Sequence, residues 1–392
     1  MKLRFKILIA IISCLIIAIS FMLYLNRPIS EEVANAKINK HLTKVVDDND
    51  SLSSALMTIS SNKTGYFGQF AVGKANMSTD EPVKKTSQFH SASIGKTMCA
   101  TIYGLLVDEG KIQFEDKISS WLEEDLEGLF IVDGIDYSGE VTIEHLLRHT
   151  SGVGDYFQDP VDNGKTMLEM IKENPDLMFT PENLIAFTRE YQRPVGKPGE
   201  QFHYSDTGYI LLGLILEEIE QKPYSEILHE RIFESLDMND SYLMFYEDEE
   251  TDILGIYIDG MDYSDKNALS LDWSGGGIVT TMDDLLAFMM ALESGNFLSY
   301  EVYSQMTDFK EKYDKGIYYG MGMMRFDFSE LSPLLGFMTD VYGGMGTTGV
   351  YMFYDKEKDT YFIANFGSIE FMEKSIEELI KIRMIFDRMV IK

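Results

Sequence analysis

The chain has 392 residues, of which 45 % are hydrophobic and 12 % aromatic, so it can bury a large core and fits neither a disordered chain nor a coiled coil. Acidic residues outnumber basic residues 64 to 34, and the net charge of -30 would repel a phosphate backbone, so nucleic acid is not expected as a partner. The only cysteines, Cys14 and Cys99, allow neither a disulfide framework nor a cysteine metal cluster.

The amino terminus carries a membrane-anchor pattern. Basic residues precede an uncharged run from Ile7 to Leu25, which would span roughly 28 Å as a helix, close to the ~30 Å of a hydrocarbon core. We therefore predict that residues 1–26 form an uncleaved anchor, with the basic residues in the cytoplasm and everything after Arg27 outside. The alternative is a cleaved signal, which would give a secreted protein.

The rest of the chain is predicted to hold a polar linker over residues 27–50 and one domain over residues 51–392. A hairpin pattern lies near each end of this domain, so we expect residues 51–75 and 275–392 to share one sheet. Residues 97–274 carry mostly helical patterns and are expected to form a helical subdomain. The predicted hairpins join Ala55–Ser60 to Tyr66–Val72 and Gly349–Tyr354 to Thr360–Asn365. The predicted helices are Ile94–Glu109, Ile143–Arg148, Pro181–Glu190, Thr207–Glu220, Met282–Glu293 and Phe371–Met389.

Ser93 and Lys96 form a Ser-x-x-Lys pattern at the start of a predicted helix, and this spacing places both side chains on one helix face, one turn apart. A hydroxyl is a poor nucleophile until a neighbouring group accepts its proton. An amine does so when burial lowers its pKa toward neutrality, which predicts a buried pocket around Lys96. Ser60 and Lys63 fit the same pattern, but they lie across a predicted turn and are interpreted as coincidence.

The segment from Phe89 to Trp121 resembles the serine β-lactamase and penicillin-binding peptidase superfamily, in its class C β-lactamase and DD-peptidase branch. The resemblance covers roughly Asp50 to Asn365. It implies an α/β (α+β) fold, in which an antiparallel sheet is flanked by helices and joined to an all-helical subdomain, and it implies no metal or organic cofactor. Further matches occur in the order of the family, at Val141–Gly152, Pro198–Asp206, Leu212–Gly213, Leu236–Met238 and Gly275–Thr281.

The second motif of this family is Tyr-x-Asn, and in this chain it reads Tyr204-Ser205-Asp206. The resemblance implies that Tyr204 works with Lys96 as a proton shuttle for Ser93. Aspartate replaces the expected asparagine at position 206. An ionised Asp206 would add a negative charge to the site, whereas an Asp206 paired with Lys96 would leave the charge unchanged, and both alternatives remain open.

The third motif of the family lies on a strand and normally supplies a cation that attracts a substrate carboxylate. Aligning the segment that begins at Gly346 places Gly344 at the cation position, and one insertion places Tyr342 there; neither residue carries a charge. The backbone amides of Ser93 and Thr347 are the implied oxyanion donors. Nucleophile activation is therefore expected to be intact and carboxylate recognition to be lost.

Other candidate residues receive structural interpretations. His145 and His149 are four residues apart, but the internal glutamate of the zinc-protease motif is absent, so a metal role is not expected. Cys99 is expected to be a small core residue, and Asp272 is expected to line the cleft without chemistry.

Together these patterns predict a membrane-anchored serine hydrolase that acts outside the cell through an acyl-enzyme. Its partner would be a small-molecule or peptide substrate, with cell-wall material as one candidate source, and neutral or amine-bearing substrates are expected in preference to carboxylates. One alternative is a DD-carboxypeptidase or β-lactamase, which would need a partner for the substrate carboxylate. The other alternative is a non-catalytic, penicillin-binding-like protein of the cell envelope.

Overall fold

The structure is a computed structural model that describes residues 27–247 and 252–391. The predicted membrane span from Ile7 to Leu25 lies outside these residues. Among the helices of the described ranges, none has both the length and the apolar composition that a bilayer crossing requires.

Strands and helices are interspersed along the described chain. The strands are β1 (Ile29–Ser30), β2 (Ser54–Ser61), β3 (Tyr66–Gly73), β4 (Phe89–His90), β5 (Ile131–Val132), β6 (Ile135–Asp136), β7 (Tyr242–Leu243), β8 (Tyr257–Ile258), β9 (Met261–Asp262), β10 (Ile278–Thr280), β11 (Glu311–Asp314), β12 (Ile317–Tyr319), β13 (Met324–Phe326), β14 (Val341–Met345), β15 (Tyr351–Asp355), β16 (Thr360–Asn365) and β17 (Met389–Val390). The α-helices are α1 (Glu31–Asp47), α2 (Gly95–Asp108), α3 (Ile143–Leu147), α4 (Met167–Glu173), α5 (Pro181–Tyr191), α6 (Asp206–Glu220), α7 (Tyr224–Leu228), α8 (Trp273–Gly276), α9 (Met282–Glu293), α10 (Tyr300–Met306), α11 (Phe328–Leu331) and α12 (Met372–Phe386).

An eight-stranded antiparallel sheet forms the centre of the fold, in the order β11-β12-β13-β14-β15-β16-β2-β3. Strands from the two ends of the chain meet where β16 pairs with β2, with Phe362 opposite Ile59. The predicted hairpins are confirmed, since β2 pairs with β3 and β15 pairs with β16. The division of the domain into sheet and helical parts stays a prediction, although the long helices α2, α5, α6 and α9 do lie between the two hairpins in the chain.

Each face of the sheet covers its own hydrophobic core, because side chains alternate between faces along a strand. On β15, Tyr351 and Phe353 point into the core beneath α1 and α12, whereas Met352 and Tyr354 belong to the core shared with α2 and α9. The second core is the larger one and includes Cys99 on α2, which is fully buried as predicted. The sheet therefore supports α2, the helix that follows Ser93.

The linker prediction for residues 27–50 is wrong, because most of this segment forms helix α1. Its apolar residues recur at helical spacing and are buried against the sheet, and the hydroxyl of Ser30 accepts a hydrogen bond from the Val33 amide at the helix start. The Tyr66 hydroxyl of β3 donates to Asn35 of α1 at 2.6 Å. The segment was predicted to be a linker because its average composition is polar. Its buried apolar face consists of Ala34, Ile38, Leu42 and Val45.

A buried ion pair joins helix α12 to the sheet. The Arg383 guanidinium donates to the Asp355 carboxylate of β15 at 2.6 Å, and both side chains are fully buried. Burial lowers the pKa of Arg383, although the charge of Asp355 opposes this effect. An ion pair in this setting is costly to break, because the remaining charge stays buried without its partner.

We expect Asp355→Ala to lower the free energy of unfolding by about 3–5 kcal/mol, because it leaves the Arg383 guanidinium buried without a counter-charge. The double variant Arg383→Met with Asp355→Leu should recover most of that loss, since it removes both charges at similar volume. Urea unfolding followed by circular dichroism measures both effects. A single variant as stable as the wild-type protein would contradict this account of the ion pair.

Candidate active site

Ser93 lies between strand β4 and helix α2, in a short 3₁₀ helix over Ala92–Ile94. Strand β4 is fixed by antiparallel pairing with β10, and the Ser91 amide donates to the Ile278 carbonyl at 2.7 Å. Ala92, directly before Ser93, has a φ of 45°, a left-handed conformation that costs a non-glycine residue free energy. The fold thus holds Ser93 at the exposed start of a buried helix.

Two glycines let helix α2 approach α8 without intervening side chains. A Cβ atom on Gly95 would lie 2.8 Å from the Gly276 Cα, and one on Gly276 would lie 2.7 Å from the Ala92 carbonyl carbon. Both distances are too short for a side chain, so the approach depends on glycine at each position. It brings the Gly275 carbonyl within 3.0 Å of the Lys96 Nζ, which donates to it.

Lys96 is 2 % exposed, and its Nζ contacts three acceptors. It donates to the Ser93 Oγ at 3.1 Å and to the Gly275 carbonyl, and it lies 2.5 Å from the Asp206 Oδ1. Burial alone would lower the pKa of Lys96, but the charge and hydrogen bond of Asp206 outweigh burial and raise the pKa above its ordinary value. The predicted burial is present, and the predicted lowering of the pKa is wrong because Asp206 supplies a counter-charge.

Tyr204 approaches Ser93 from a second direction. Its hydroxyl donates to the Ser93 Oγ at 3.1 Å, and its ring stacks on the His149 imidazole with centroids 4.2 Å apart. The Lys96 Nζ lies 5.3 Å from the centroid of the Tyr204 ring. Burial, followed by the charge of Asp206, raises the pKa of Tyr204 well above its ordinary value, so the resting group is a neutral phenol.

These contacts can activate Ser93 in one order. When Lys96 releases its proton to solvent, a neutral amine remains 3.1 Å from the Ser93 Oγ. That amine can accept the Ser93 proton as the hydroxyl attacks a carbonyl carbon. The neutral Tyr204 phenol can then donate a proton to the leaving group, and the Lys96 ammonium, which now carries the Ser93 proton, can return a proton to the Tyr204 phenolate. In this order Asp206 opposes the loss of the Lys96 proton, an effect that the neutral asparagine of the family motif would not have.

Two backbone amides beside the nucleophile are placed to bind an oxyanion. The N–H groups of Ser93 and Thr347 donate no hydrogen bond to any acceptor in residues 27–247 and 252–391. Both residues line the apolar cleft next to the Ser93 hydroxyl. They can therefore stabilise the negative oxygen that develops when Ser93 adds to a carbonyl.

The structure corrects the third-motif alignment. A Cβ atom on Gly344 would lie 2.8 Å from the Thr97 Oγ1 of helix α2, so this position faces the helix and not the cleft. Tyr342 faces the same side, where its hydroxyl donates to the Glu293 carboxylate at 2.9 Å. Neither Gly344 nor Tyr342 faces the substrate, because side chains alternate along strand β14 and these two positions lie on the face that packs against α2 and α9.

The cleft-facing residues of β14 are Gly343 and Met345. Gly343 has a φ of 148°, and a Cβ atom there would lie 1.9 Å from the Met352 carbonyl oxygen of the neighbouring strand. The backbone therefore excludes any side chain at Gly343 unless the strand moves. The position on β14 that faces the cleft is therefore Gly343, and not Gly344 or Tyr342 as predicted.

A cleft of about 370 Å³ opens beside Ser93, and its wall contains no lysine, arginine or histidine among the described residues. The carboxylates of Asp314 and Glu373 lie in its wall, together with Gly346 and Thr347. Most of this lining carries no sequence motif, because the residues lie on β11–β14, α11 and α12, and it was therefore not predicted. Its apolar and aromatic side chains are Phe157, Tyr204, Tyr313, Ile317, Tyr319, Met324, Phe326, Leu331, Met345, Met372 and Ile376.

A second and smaller pocket of about 40 Å³ also reaches Ser93 and Thr347. Its polar side chains include His90, Asp206, Asp272 and Thr348. The sequence analysis assigned no chemistry to Asp272, and His90 was not considered because it belongs to no motif.

The structure separates the two histidines that the sequence spaced four residues apart. His145 caps helix α3, where its Nδ1 accepts from the Thr142 amide at 3.2 Å, and His149 packs against Tyr204. Burial lowers the pKa of His149 well below its ordinary value, so this ring is neutral. In the described part of the chain no group of three histidine, cysteine or acidic side chains could hold a metal ion.

The comparison with known families agrees with this arrangement. The model of the Beta-lactamase family matches residues 38–366, so this chain belongs to the Beta-lactamase family. Its fold is β-lactamase/transpeptidase-like, as in the structural neighbours of this family.

Two curated relatives come from Bacillus subtilis (strain 168). Penicillin-binding protein 4* is 28 % identical over 255 residues, which covers 58 % of this chain and 49 % of that protein. The putative penicillin-binding protein PbpX is 26 % identical over 281 residues, which covers 69 % of this chain and 65 % of that protein. The matches thus span about half to two thirds of the length of these relatives.

Solved structures support the fold. The D-amino acid amidase from Ochrobactrum anthropi SV3, in complex with L-phenylalanine amide, has a TM-score of 0.75 at 21 % identity and covers 90 % of this chain and 98 % of that one. EstCE1, a hydrolase with promiscuous acyltransferase activity, has a TM-score of 0.69 at 18 % identity and covers 90 % and 98 %. At these identities the likeness establishes the fold alone.

We expect Asp206→Asn to move the acidic limb of the pH profile of kcat/KM to lower pH. In the wild-type protein Asp206 raises the pKa of Lys96, whereas an amide would leave burial unopposed and favour the neutral amine. The amine that accepts the Ser93 proton would then be populated at lower pH. Initial rates with a neutral ester between pH 5 and 10 measure the limb, and an unmoved or raised limb would show that Asp206 does not control Lys96.

Proposed function

We propose that this chain is an extracytoplasmic serine hydrolase that forms an acyl-enzyme on neutral ester or amide substrates without selecting for a carboxylate. The observation that carries this proposal is the pair of hydrogen bonds that Lys96 and Tyr204 donate to the Ser93 Oγ, beside an apolar cleft. A hydroxyl with two such neighbours, and with the backbone amides of Ser93 and Thr347 beside the same cleft, has the parts that acyl transfer needs.

The charge of the cleft argues against the first alternative, a DD-carboxypeptidase or β-lactamase. Both substrate classes carry a carboxylate, whereas the cleft wall holds Asp314 and Glu373 and no basic side chain among the described residues. Two like charges about 5 Å apart at an effective dielectric near 20 repel by about 3 kcal/mol, so a carboxylate there would bind weakly. The similar structures include an amidase and an ester-type hydrolase, which supports both neutral substrate classes.

The arrangement around Ser93 also argues against a non-catalytic binding protein. Lys96 is buried with a counter-charge at 2.5 Å, and a bare binding pocket has no need of such a pair. A buried ion pair stabilises a fold weakly at best, so its presence beside a hydroxyl favours a chemical role.

Substrate turnover tests the proposed activity on protein that begins at Pro28. We expect a fluorophosphonate probe to label Ser93, and we expect short-chain esters or D-amino-acid amides to be hydrolysed faster than acyl-D-Ala-D-Ala or a chromogenic cephalosporin. Ser93→Ala should lose labelling and turnover at unchanged melting temperature, because it deletes a single hydroxyl. Lys96→Ala and Tyr204→Phe should each slow turnover by at least ~10²-fold.

Two results of this experiment would reject the proposal. Absence of labelling at Ser93 in folded protein would favour the non-catalytic alternative. A higher kcat/KM for acyl-D-Ala-D-Ala or the cephalosporin than for the neutral substrates would favour a carboxypeptidase or β-lactamase.

The proposed location rests on residues 1–26, where basic residues precede the uncharged run from Ile7 to Leu25. We expect full-length protein to sediment with membranes and the domain after Arg27 to be digested by protease added outside intact cells. A processed form that starts near Asn26 would indicate a cleaved signal. Protein found in the soluble cytoplasmic fraction would contradict the proposed location.

A further inference from the structure

The small pocket beside Ser93 has no assigned role in the chemistry described so far. It shares Ser93 and Thr347 with the apolar cleft, so a substrate bound at Ser93 has access to both spaces. Its volume of about 40 Å³ admits one small group, since a water molecule needs roughly 10–15 Å³ by the same kind of measure. The bulk of a substrate must therefore occupy the apolar cleft, and only a short polar end fits the small pocket.

Asp272 brings an unpaired carboxylate to this pocket. Its side chain is 29 % exposed and accepts no hydrogen bond from residues 27–247 or 252–391, the nearest basic atom being the His90 Nε2 at 3.8 Å. Burial, followed by the charge of Asp206, raises the pKa of Asp272 to about 7. An acid in this position gains free energy when a donor or a cation fills the pocket.

Two further buried groups in the pocket lack partners. His90 is 2 % exposed, and its Nδ1 accepts from the Ala92 amide at 3.1 Å, so the neutral ring carries its proton on Nε2. Within the described ranges that Nε2 has no hydrogen-bond partner, and the Thr348 hydroxyl, also buried, has none either. Buried polar atoms are normally paired, and these two lie in one pocket with Asp272. These unpaired polar groups therefore indicate a pocket that binds a ligand group, and not a gap in the packing.

We infer that the small pocket binds the free α-amino group of the acyl part of the substrate, as an ammonium ion held by Asp272. This inference rests on the proposed function and names its substrate class, the esters and amides of amino acids with a free amine. The ammonium ion has three donors, and the pocket offers acceptors on Asp272, on the Thr348 hydroxyl and on the Asp206 Oδ2.

The charges of the site also favour a cation. Asp206 is paired with Lys96 at 2.5 Å, so these two groups cancel, and an ionised Asp272 adds a negative charge that no described basic group neutralises. The His90 Nε2 lies 3.8 Å from the Asp272 carboxylate, which is too far for a hydrogen bond. A substrate carboxylate would face a charge of its own sign, and a neutral acyl group would offer the Asp272 carboxylate no cation.

The position of the acids places the amine on the acyl side of the scissile bond. Asp206, Asp272 and Ser93 all line the small pocket, so a group bound to either acid in it lies close to the Ser93 Oγ. An amine so near the nucleophile must lie within two or three bonds of the carbonyl carbon, as an α-amino group does. The leaving group is then the part that extends into the larger apolar cleft.

A matched set of 4-nitroanilides tests the inference on protein that begins at Pro28. The set contains alanyl, N-acetylalanyl and propionyl forms, with both enantiomers where alanine is present. We expect kcat/KM for the alanyl form to exceed that for the N-acetyl form by roughly 10²-fold, because acetylation removes the charge and fills the pocket. Asp272→Asn should lower this ratio at least ~10-fold.

The matched control is Asp265→Asn, which makes the same change of charge at a side chain that is 76 % exposed, and it should leave the ratio at its wild-type value. The wild-type ratio alone already tests the inference, so the test stands even if Asp272→Asn unfolds. A ratio near one, or a ratio that Asp272→Asn does not move, would overturn the inference. Fluorophosphonate labelling of Ser93 in the same samples separates this failure from failure of the proposed function.

The pH dependence of the ratio gives a second readout. The ratio should rise as Asp272 ionises near pH 7 and fall as the substrate amine loses its proton near pH ~8. The titratable groups that face Asp272 are His90, Lys96, Asp206 and Tyr156, and burial lowers the pKa of His90 to about 4 while it raises that of Tyr156 well above its ordinary value. Loss of the lower limb in Asp272→Asn supports the inference, and a limb retained in that variant would overturn it.

Discussion

The contact between Lys96 and Asp206 is the interaction on which the site depends. Lys96 belongs to the first turn of α2 and Asp206 is the first residue of α6, so the pair joins the nucleophile helix to the helical layer at 2.5 Å. A buried ammonium would otherwise shed its proton or cost several kcal/mol, and Asp206 stabilises it at the position where Ser93 needs a proton acceptor. The glycine contact between α2 and α8 brings the Gly275 carbonyl to the Lys96 Nζ, which donates a hydrogen bond to it. This bond orients the amine, whereas Asp206 balances its charge.

The same contact changes what the site can recognise. Asp206 places a negative charge 2.5 Å from the Lys96 ammonium, and the asparagine of the family motif would not supply that charge. Strand β14 adds no cation, because the backbone at Gly343 leaves no room for a side chain. With Asp272, Asp314 and Glu373 in the two pockets, the net charge that a substrate meets around Ser93 is negative. The aspartate at position 206 and the backbone of β14 therefore determine both how Ser93 is activated and which charge the site favours in a substrate.

The sequence predicted the nucleophile because Ser-x-x-Lys at a helix start is a local pattern, and helix geometry alone brings Ser93 and Lys96 together. It predicted Tyr204 through its motif, and it left the partner of Asp206 open because pairing across α2 and α6 is a tertiary contact. Gly344 was assigned to the wrong face of β14, because its glycine-rich sequence shows no alternation of polar and apolar residues that would indicate which side chains face the cleft. The helix α1 was missed because a polar composition was weighed above the spacing of its four buried residues. Asp272 carries no local signal, since its role arises from a pocket assembled by distant segments.

Two residues with a positive φ lie where these segments meet. Ala92 precedes Ser93 with a φ of 45°, and Trp273, which follows Asp272, has a φ of 25°. Both residues are buried, so the surrounding core maintains conformations that an isolated chain would avoid. The first bend presents the Ser93 hydroxyl and its amide to the cleft, and the second turns the chain so that Asp272 and the Gly275 carbonyl reach the site from neighbouring positions. Each bend positions two groups at once. A relaxed backbone at Ala92 would displace both the hydroxyl and the amide of Ser93, and one at Trp273 would displace both Asp272 and the Gly275 carbonyl. Burial of the hydrophobic core around α2 offsets the free energy of this strain. Packing in that core therefore keeps Lys96, Asp206 and Asp272 in place around Ser93.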